Sequence, residues 1–504
     1  MSEASAPGTW MGHPRGLATL FFTEMWERFS FYGMRALLLL YMTAAVGAGG
    51  LGMSDRQGGA VYGLYTAAAY LSCLPGGWLA DRLLGQRKSV FWGGVLISAG
   101  NFALAVPAGM TLFYLGLLLI SLGTGMLKTN CTCLVGELYH GQSGSRRDAA
   151  FSLYYLGINL GALSPLIVGT IGETAGYRWG FLVGGIGMVL GLIQYRVTGH
   201  WLGDAGLAPH PAPPRQRQRA QRALQAALVL LAVIVLLAVL GPLRMDVVQL
   251  ANASGAVMIA LAIVFFGSVL LFGSLSGAEK KSVAVIAIFF VCAALFWAGY
   301  EQAGSTLNLF ARDHTDRSFL GSWFPSGQHP VSWYQIAQAV FVLVFAPVFA
   351  WIWLSLGRRG RDPSAGAKFG LGLLQLGLSF VVMMIAAEVV LRTGQRVLPG
   401  WLILTYLLQT TGELCLSPIG LSNVTKLAPS RYRSQMMGTW FLGAAVGNLA
   451  AGLIGGEIGS SVADMPAQFL RMALIGCASG FVMLILARPV RAWMGAAGAV
   501  SCGE

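Results

Sequence analysis

The stretch from Leu17 to Tyr41 has the length of a membrane-spanning helix, yet it contains four charged side chains. Glu24, Glu27 and Arg28 fall at positions i, i+3 and i+4, so they share one face of a helix, and Arg35 extends the same side. A charged side chain at the bilayer centre costs at least ~2.5–3.5 kcal/mol. A stripe of this kind is tolerated where it faces a watery cavity inside a helix bundle. It is therefore a candidate functional site.

The overall composition is that of a protein embedded in a membrane. Hydrophobic residues make up 56% of the chain and charged residues only 11%, where a soluble domain carries about 25% charge. Glycine is abundant as well, at 68 of 504 residues, and small residues let helices in lipid approach closely. The chain is far too long for a single span, so the composition indicates a bundle that crosses the membrane many times.

Apolar runs of about 20 residues, each long enough to cross ~30 Å of hydrocarbon, recur along the chain. They predict an all-α polytopic membrane protein with about fourteen transmembrane helices. Strands are not expected in these spans, because an open sheet edge has no hydrogen-bond partners in lipid. The runs lie near residues 17–46, 57–80, 89–107, 110–138, 149–173, 179–199, 222–242, 248–275, 282–311, 331–356, 368–391, 399–427, 434–458 and 466–488.

A polar linker divides these spans into a 6+2+6 arrangement. The linker, GDAGLAPHPAPPRQRQRAQR at 203–222, follows the sixth span, and the two apolar runs after it contain almost no charge. Its Pro-rich start and Arg/Gln-rich end suggest an extended stretch that enters a helix at the membrane surface. We therefore predict a six-helix bundle at 1–202, the linker with two inserted helices at 203–281, and a second six-helix bundle at 282–504.

The basic residues predict the orientation in the membrane. Roughly two-thirds of the 33 Lys and Arg residues fall on one side if both termini lie there, and the positive-inside rule makes that side cytoplasmic. The protein is thus expected in the plasma membrane with both termini in the cytoplasm and the lipid bilayer as its surroundings. The net charge of +13 is a topology signal. Nucleic-acid binding is not expected, because the basic residues are dispersed over many short loops.

Catalytic and nucleotide-binding motifs are missing from the sequence. It contains no G-x-x-x-x-G-K-[ST] phosphate-binding loop, which argues against nucleotide-driven pumping. The six His residues fall in loops or at span ends and form no H-E-x-x-H or similar metal-binding pair. An enzyme would also need a nucleophile and a base, and a receptor would normally carry a soluble sensory domain. We find neither in this sequence. We therefore expect neither an enzyme nor a bound metal or cofactor.

Further ionisable residues lie within the predicted spans. Lys128, Glu301 and Glu413 join the charged residues of the first helix. The spans then contain four acidic and three basic residues, so one carboxyl group has no basic partner even when three pairs form. A desolvated carboxyl group without a partner tends to hold a proton. Seven interior charges are too costly for a purely structural role, and the surplus acid favours a proton-coupled carrier.

Several sequence blocks resemble one family. The first-helix block Glu24-Met-Trp-Glu27-Arg28-Phe29 matches the E-x-x-E-R-F signature of the proton-dependent oligopeptide transporter (POT/PTR) family, bacterial type, within the major facilitator superfamily. The other blocks are GGWLADRLLGQRKS at 76–89, GTGMLKTNCTCLVGELY at 123–139, FSLYYLGINLGALSPLIVG at 151–169, FWAGYEQAGSTLNLFA at 296–311 and YLLQTTGELCLSPIGLSNVTKLAP at 406–429.

The resemblance implies both a fold and an activity. The fold would be that of the major facilitator superfamily, with the inserted helix pair typical of bacterial members. The activity would be proton-coupled symport of di- and tripeptides by alternating access, in the bacterial inner membrane. It implies a proton gradient instead of a cofactor, with protons and small peptides as partners, and we expect the protein to act as a monomer.

The chemistry of a small peptide fits the interior charges. A di- or tripeptide is a zwitterion with ends roughly 5–10 Å apart, at ~3.3–3.6 Å per residue. Arg35 and Lys128 are candidates for its carboxylate and Glu301 for its amine, while Asn159 and Gln338 are candidates for its backbone amides. Aromatic walls are available from Tyr32, Tyr70, Tyr154, Trp297, Trp440 and Phe441.

Two sets of site residues follow from the charges and the resemblance. The predicted proton-coupling residues are Glu24, Glu27, Arg28, Lys128 and Glu301. The predicted substrate-binding residues are Tyr32, Arg35, Tyr70, Lys128, Asn159, Trp297, Glu301, Gln338, Glu413, Ser417, Trp440 and Phe441.

Departures from the family pattern leave the substrate open. The usual Tyr-Tyr-Gly after the signature is Phe31-Tyr32-Gly33 here, and a common Asn-Pro in the eighth helix is Gln338-Ala339. These changes affect pocket size and peptide preference. A proton-coupled carrier of another small solute, such as a peptide-like drug, an amino acid or nitrate, is the alternative, since this fold serves many substrates.

Overall fold

The computed structural model describes residues 9–107, 109–139, 144–209, 213–240, 246–458 and 462–501. Among these residues, 14 long helices are present, and each predicted span corresponds to one of them. Three further helices of 7, 7 and 9 residues bring the number among the described residues to 17. The helices are α1 (Arg15–Thr43), α2 (Asp55–Leu71), α3 (Cys73–Leu79), α4 (Gln86–Ala105), α5 (Gly109–Leu138), α6 (Gly144–Gly161), α7 (Val168–Thr174), α8 (Tyr177–Thr198), α9 (Pro214–Leu240), α10 (Val247–Phe272), α11 (Gly277–Tyr300), α12 (Thr306–His314), α13 (Ile336–Arg358), α14 (Ala365–Thr393), α15 (Gly400–Leu427), α16 (Arg433–Ile458) and α17 (Met465–Ser501).

Most of the long helices are apolar enough to cross a bilayer. In the described part of the chain, ten helical segments satisfy this test by length and composition. The helix α1 does not, because its charged stripe lowers its hydropathy. The prediction of an all-α polytopic membrane protein is confirmed.

Three predicted spans are divided between two helices. In the span at 57–80, Ser72 between α2 and α3 keeps helical dihedral angles, whereas the other two spans are interrupted near their middle. The run at 149–173 consists of α6 and α7, separated by a 3-10 turn at Ser164–Leu166, because Pro165 has no N–H for a helical hydrogen bond. The run at 282–311 consists of α11 and α12, separated by a 3-10 turn at Glu301–Gly304 and by Ser305, whose φ of −120° and ψ of −95° are not helical. The second break therefore coincides with a predicted site residue.

The backbone contacts divide the chain into two compact units. The N-terminal unit comprises the described residues within 1–37 and 68–246, and the C-terminal unit comprises those within 38–67 and 247–504. The three-part division made from the linker stays a prediction.

Glycine pairs explain how helices pack within each unit. In the N-terminal unit, a Cβ atom on Gly93 would lie 2.7 Å from the carbonyl oxygen of Gly123, and one on Gly100 would lie 2.6 Å from that of Gly116. In the C-terminal unit, a Cβ atom on Gly476 would lie 2.7 Å from the Cα atom of Gly377. Larger residues would force these helix pairs, α4–α5 and α14–α17, apart.

A short hairpin precedes α1 in the N-terminal unit. The strands β1 (Thr9–Trp10) and β2 (His13–Pro14) pair antiparallel, and the Nδ1 atom of His13 lies 2.6 Å from the hydroxyl of Tyr139, just after α5. The hairpin lies outside the long helices, where strand hydrogen bonds need no protection from lipid.

The segment between α8 and α9 is anchored to the ends of α4 and α5. Arg87 Nε donates to the carbonyl oxygen of Ala205 at 2.7 Å. The amide of Gly206 donates to Glu137 Oε2 at 2.8 Å. The predicted linker is therefore tied down at its start and becomes helical from Pro214 onward.

Candidate functional site

The charged stripe of α1 is buried in the protein. The exposed fractions are 1% for Glu24, 0% for Glu27, 3% for Arg28 and 4% for Arg35. These residues therefore do not face lipid, as the cost of a charge in hydrocarbon requires.

Two carboxylates of the stripe share one guanidinium group. Arg28 Nε lies 3.1 Å from Glu24 Oε1 and 2.5 Å from Glu27 Oε2. Neither contact has the angles of a hydrogen bond, so these are ion pairs held by charge and close packing. The other oxygen of Glu24, Oε2, accepts a 2.7 Å hydrogen bond from the hydroxyl of Tyr154 on α6.

The sequence of α6 brings Tyr154 to the stripe. Tyr154, Gly157 and Gly161 fall at i, i+3 and i+7, so they share one face of the helix. A Cβ atom on Gly157 would lie 3.0 Å from the Phe21 ring, and one on Gly161 would lie 2.6 Å from the Cβ atom of Arg28. The two glycines thus allow the close approach of α6 to α1 that the Tyr154–Glu24 hydrogen bond needs.

Aromatic rings cover the cations of the N-terminal unit. The guanidinium carbon of Arg35 lies 5.7 Å from the centroid of the Tyr32 ring, and the Nζ atom of Lys128 lies 4.7 Å from that of Tyr70. Arg28 lies over Phe31 at 5.1 Å. Such contacts stabilise a cation where water is scarce. The structure therefore brings the predicted residues Tyr32 and Tyr70 beside the predicted carboxylate-binding cations.

Two other predicted residues of this unit have partners within it. Asn159 is 6% exposed, and its amide nitrogen donates to the carbonyl oxygen of Tyr155 at 2.9 Å, one turn back on the same helix. Tyr154, predicted as an aromatic wall, is 4% exposed, and its hydroxyl donates to Glu24. It is thereby placed with the predicted proton-coupling residues.

In the C-terminal unit, α11 and α15 meet at Glu413. The hydroxyl of Tyr300 donates to Glu413 Oε2 at 2.6 Å, and the ring of Trp297 packs edge-on against that of Tyr300 at 5.4 Å. Sequence reasoning missed Tyr300. Its position directly before Glu301, one turn after Trp297, was the available signal.

Glu301 and Gln338 are two further predicted residues of this unit. Glu301 is 4% exposed and begins the 3-10 turn after α11. Gln338 on α13 donates from Nε2 to Gln409 Oε1 at 3.4 Å. Gln409 is fully buried and lies one turn before Glu413 on α15. The prediction missed Gln409, for which only this i, i+4 spacing was a signal.

The predicted aromatic residues on α16 are also in this unit. The Trp440 ring packs directly on Gly420 of α15 and leaves no room there for a Cβ atom. Phe441, the next residue in the sequence, is half-buried. The side chain of Ser417 lies outside the described residues.

The predicted charges are distributed unequally over the units. The three bases Arg28, Arg35 and Lys128 belong to the N-terminal unit together with two acids. The C-terminal unit contains the acids Glu301 and Glu413 and none of the three bases. The three predicted bases thus lie in the N-terminal unit, whereas the predicted charges of the C-terminal unit are both acids.

Comparison with known proteins identifies the family. The family model PTR2, described as the POT family, matches residues 87–459. The chain belongs to the POT family. Among curated members, it is 41% identical over 508 residues to the peptide transporter YePEPT of Yersinia enterocolitica subsp. palearctica serotype O:3 (strain YE-P4), with 98% of each chain covered. It is 36% identical over 498 residues to a di-/tripeptide transporter of Lactococcus lactis subsp. cremoris, with 97% of this chain and 98% of the relative covered.

Solved POT structures share the whole fold. A crystal structure of the peptide transporter POT in complex with sulfate has a TM-score of 0.88 and 38% identity, and 97% of each chain is covered. A POT family transporter in complex with 5-aminolevulinic acid has a TM-score of 0.87 and 32% identity, with coverage of 96% of this chain and 98% of that one. The predicted family and superfamily fold are confirmed.

Proposed function

We propose that this protein is a proton-coupled symporter that imports di- and tripeptides by alternating access. The observation that carries the proposal is the buried group of Glu24, Glu27 and Arg28, in which two carboxylates share one guanidinium. Within this triad one negative charge is in excess, and a proton is the smallest cation that can neutralise it.

Proton binding at this triad follows from the cost of buried charge. An isolated ionised carboxylate is strongly disfavoured in a medium of low dielectric constant. Uptake of a proton by Glu24 or Glu27 leaves one balanced ion pair with Arg28. Tyr154 donates to Glu24, whereas the contact of Glu27 is with Arg28, so the two carboxylates differ in their partners. We therefore assign the exchanged proton to Glu27.

The peptide assignment rests on the separated charges and on the relatives. Arg35 and Lys128 would bind the peptide carboxylate, Glu301 the amine, and Asn159 and Gln338 the backbone amides. The aromatic residues Tyr32, Tyr70, Trp297, Trp440 and Phe441, together with Glu413 and Ser417, complete the proposed substrate-binding set. Two relatives are named as peptide or di-/tripeptide transporters.

The cellular setting is part of the same proposal. The dispersed basic loops support a position in the bacterial inner membrane with both termini in the cytoplasm. Because each proposed site residue is available within one chain, a monomer suffices for transport.

Uptake by proteoliposomes tests the function. Purified protein is reconstituted, an inward proton gradient is imposed, and accumulation of labelled dialanine is followed. We expect accumulation above equilibrium that collapses on addition of a protonophore. Accumulation that follows sodium instead would contradict proton coupling. Accumulation of nitrate or a single amino acid, with no uptake of dialanine, would support the alternative substrate class.

A further inference from the structure

The inserted helix α9 is almost uncovered by the rest of the protein. Only 6% of the residues in its most apolar stretch are buried inside the protein, against 50% in α5. Leu228, Val229 and Leu230 are exposed by 55%, 63% and 61%, as expected for side chains that contact lipid. The helix begins before this apolar part with the basic sequence PRQRQRAQR at 214–222.

One face of this basic segment is attached to the protein. Arg82, in the turn between α3 and α4, donates from Nη1 to Gln216 Oε1 at 3.3 Å. Ala220, one helical turn after Gln216, is 7% exposed. These two residues define the inner face of the segment and fix its rotation about the helix axis.

Three arginines lie together on one flank of that inner face. Arg215, Arg219 and Arg222 are spaced i, i+4 and i+7, so their side chains form one row. Arg217 falls on the opposite flank at about 100° per residue. All four are exposed, and none of them makes an ion pair within the part of the chain that the structure describes.

Neither α9 nor the turn that it contacts supplies a net negative charge to the row. The sequence of α9 contains no Asp or Glu. The nearest element, the turn at Ala80–Leu84, carries one acid, Asp81, and one base, Arg82. Because α9 is longer than the hydrocarbon needs, its first turns extend into the headgroup region.

We propose that Arg215, Arg219 and Arg222 bind the phosphate group of an anionic membrane phospholipid. At 1.5 Å per residue, Arg222 lies about 9 Å along the axis from Leu228, which matches the step from headgroup to acyl chains. Guanidinium groups bind phosphate oxygens in bidentate fashion. A phospholipid presents both the phosphate and an acyl chain for the exposed leucines and valines, whereas free phosphate or an acidic soluble protein matches only the arginines.

Binding of a fluorescent short-chain phosphatidylglycerol to the full-length protein in neutral detergent tests the assignment. Each basic residue near an anionic surface contributes about fivefold in affinity. Arg219→Gln should therefore weaken binding about fivefold, and Arg219→Gln with Arg222→Gln about 25-fold. Two matched controls remove the same charge elsewhere and should change binding less than twofold. They are Arg217→Gln, on the opposite flank, and Arg358→Gln with Arg359→Gln at the exposed end of α13.

Further arms identify the source of the phosphate. Phosphatidylcholine should bind wild type at least tenfold more weakly than phosphatidylglycerol, and inorganic phosphate at the same concentration should not displace the probe. Equal losses in the Arg217 and Arg219 variants would overturn the proposal, as would displacement by inorganic phosphate. If the double glutamine variant does not fold, Arg219→Lys with Arg222→Lys replaces it. This variant keeps the charge but loses the bidentate geometry, so its affinity should fall, and an unchanged affinity would overturn the site.

Discussion

The hydroxyl of Tyr154 is hydrogen-bonded to Glu24 Oε2 at 2.7 Å, although 130 positions separate the two residues in the sequence. This contact occupies one oxygen of Glu24, while the other faces Arg28 at 3.1 Å. Glu27 has the closer contact with Arg28 but no tyrosine. The two carboxylates of the signature therefore differ in environment, which is a basis for different roles.

Tyr154→Phe should reduce proton-driven accumulation of dialanine about tenfold, since a hydrogen bond to a charged group contributes ~1.5–3 kcal/mol. Counterflow, which needs no net proton movement, should fall much less. Tyr195→Phe is the matched control, because that buried hydroxyl donates to the backbone oxygen of Arg87 and touches no carboxylate. Equal effects of the two substitutions would contradict a role of Tyr154 in coupling.

Glu27→Gln should abolish accumulation against a gradient while peptide counterflow survives, because the amide cannot exchange a proton. Glu24→Gln should have the same direction of effect, with an additional loss of folded protein from the broken pairs with Arg28 and Tyr154. Both activities are measured in the same proteoliposomes. Loss of counterflow to the same extent in well-folded Glu27→Gln protein would show that this carboxyl group is structural or binds substrate directly.

Gly161→Ala should strongly lower both uptake and the unfolding temperature, because the added methyl group would lie 2.6 Å from the Cβ atom of Arg28 and 2.9 Å from the amide nitrogen of Phe29. The matched control is Gly136→Ala on α5, where the nearest atom to the added methyl group is the side chain of Arg147 at 3.5 Å. Unfolding temperature and transport rate are compared for both variants. A normal transport rate for Gly161→Ala would contradict the need for close α1–α6 packing.

Glu301→Gln should weaken binding of free dipeptide roughly thirtyfold or more, since removal of one partner of a desolvated charge pair costs about 2–5 kcal/mol. Binding of an N-acetylated dipeptide, which lacks the amine charge, should already be weak and should scarcely change. The two affinities are measured by competition against labelled dialanine in both proteins, which reads out their non-additivity. If Glu301→Gln lowered the affinity of both peptides by the same factor, Glu301 would not bind the amine, and Glu413 would be the next candidate.

Asp55, the first residue of α2, provides a pH test outside the predicted spans. Burial raises the pKa of Asp55 above its usual 3.8, and Arg312 opposes this shift. The folded state therefore holds the proton more tightly than the unfolded state, so the contribution of Asp55 to stability declines as pH rises above 3.8. Asp55→Asn should remove this decline. The unfolding temperature of the variant minus that of wild type should therefore be larger at pH 7 than at pH 4. A constant difference would contradict the raised pKa.

A neighbouring carboxylate is the control for that experiment. Asp313 lies 2.8 Å from Arg312 Nη2, whereas Asp55 lies 3.9 Å from it. Asp313→Asn removes the closer ion pair and should lower stability at pH 7 slightly, by no more than ~1 kcal/mol for a partly exposed pair. At pH 7 we thus expect Asp313→Asn to lower the stability relative to wild type and Asp55→Asn to raise it.

The helices were predictable because each span needs a long apolar run, and such runs are local in sequence. The interruption at Glu301–Gly304 was not predicted, since 282–311 is a largely apolar run without proline and only its packing shows where the helix breaks. Pro165 in the other interrupted span was a visible signal. The hairpin before α1 was also not predicted, because two-residue strands leave no alternating pattern.

The charged site residues were predictable because burying a charge in a membrane protein is costly. Their partners were less so. Tyr300 and Gln409 are polar groups in apolar helices, and their contacts with Glu413 and Gln338 join helices far apart in the chain. The contact of Tyr154 with Glu24 was not predictable for the same reason, since the sequence does not show which face of α6 approaches α1. The notable local signal was the glycine spacing at Gly157 and Gly161.

The break after α11 places a second source of negative charge, the end of a helix, at Glu301. A point substitution of the side chain does not remove it. The helix ends at Tyr300, so the negative end of its dipole lies at the residue that carries this carboxylate. Both favour a cation in the same place. Under the proposed function, a peptide amine bound at Glu301 would therefore retain some attraction even after the side chain is neutralised, because the backbone favours positive charge there as well.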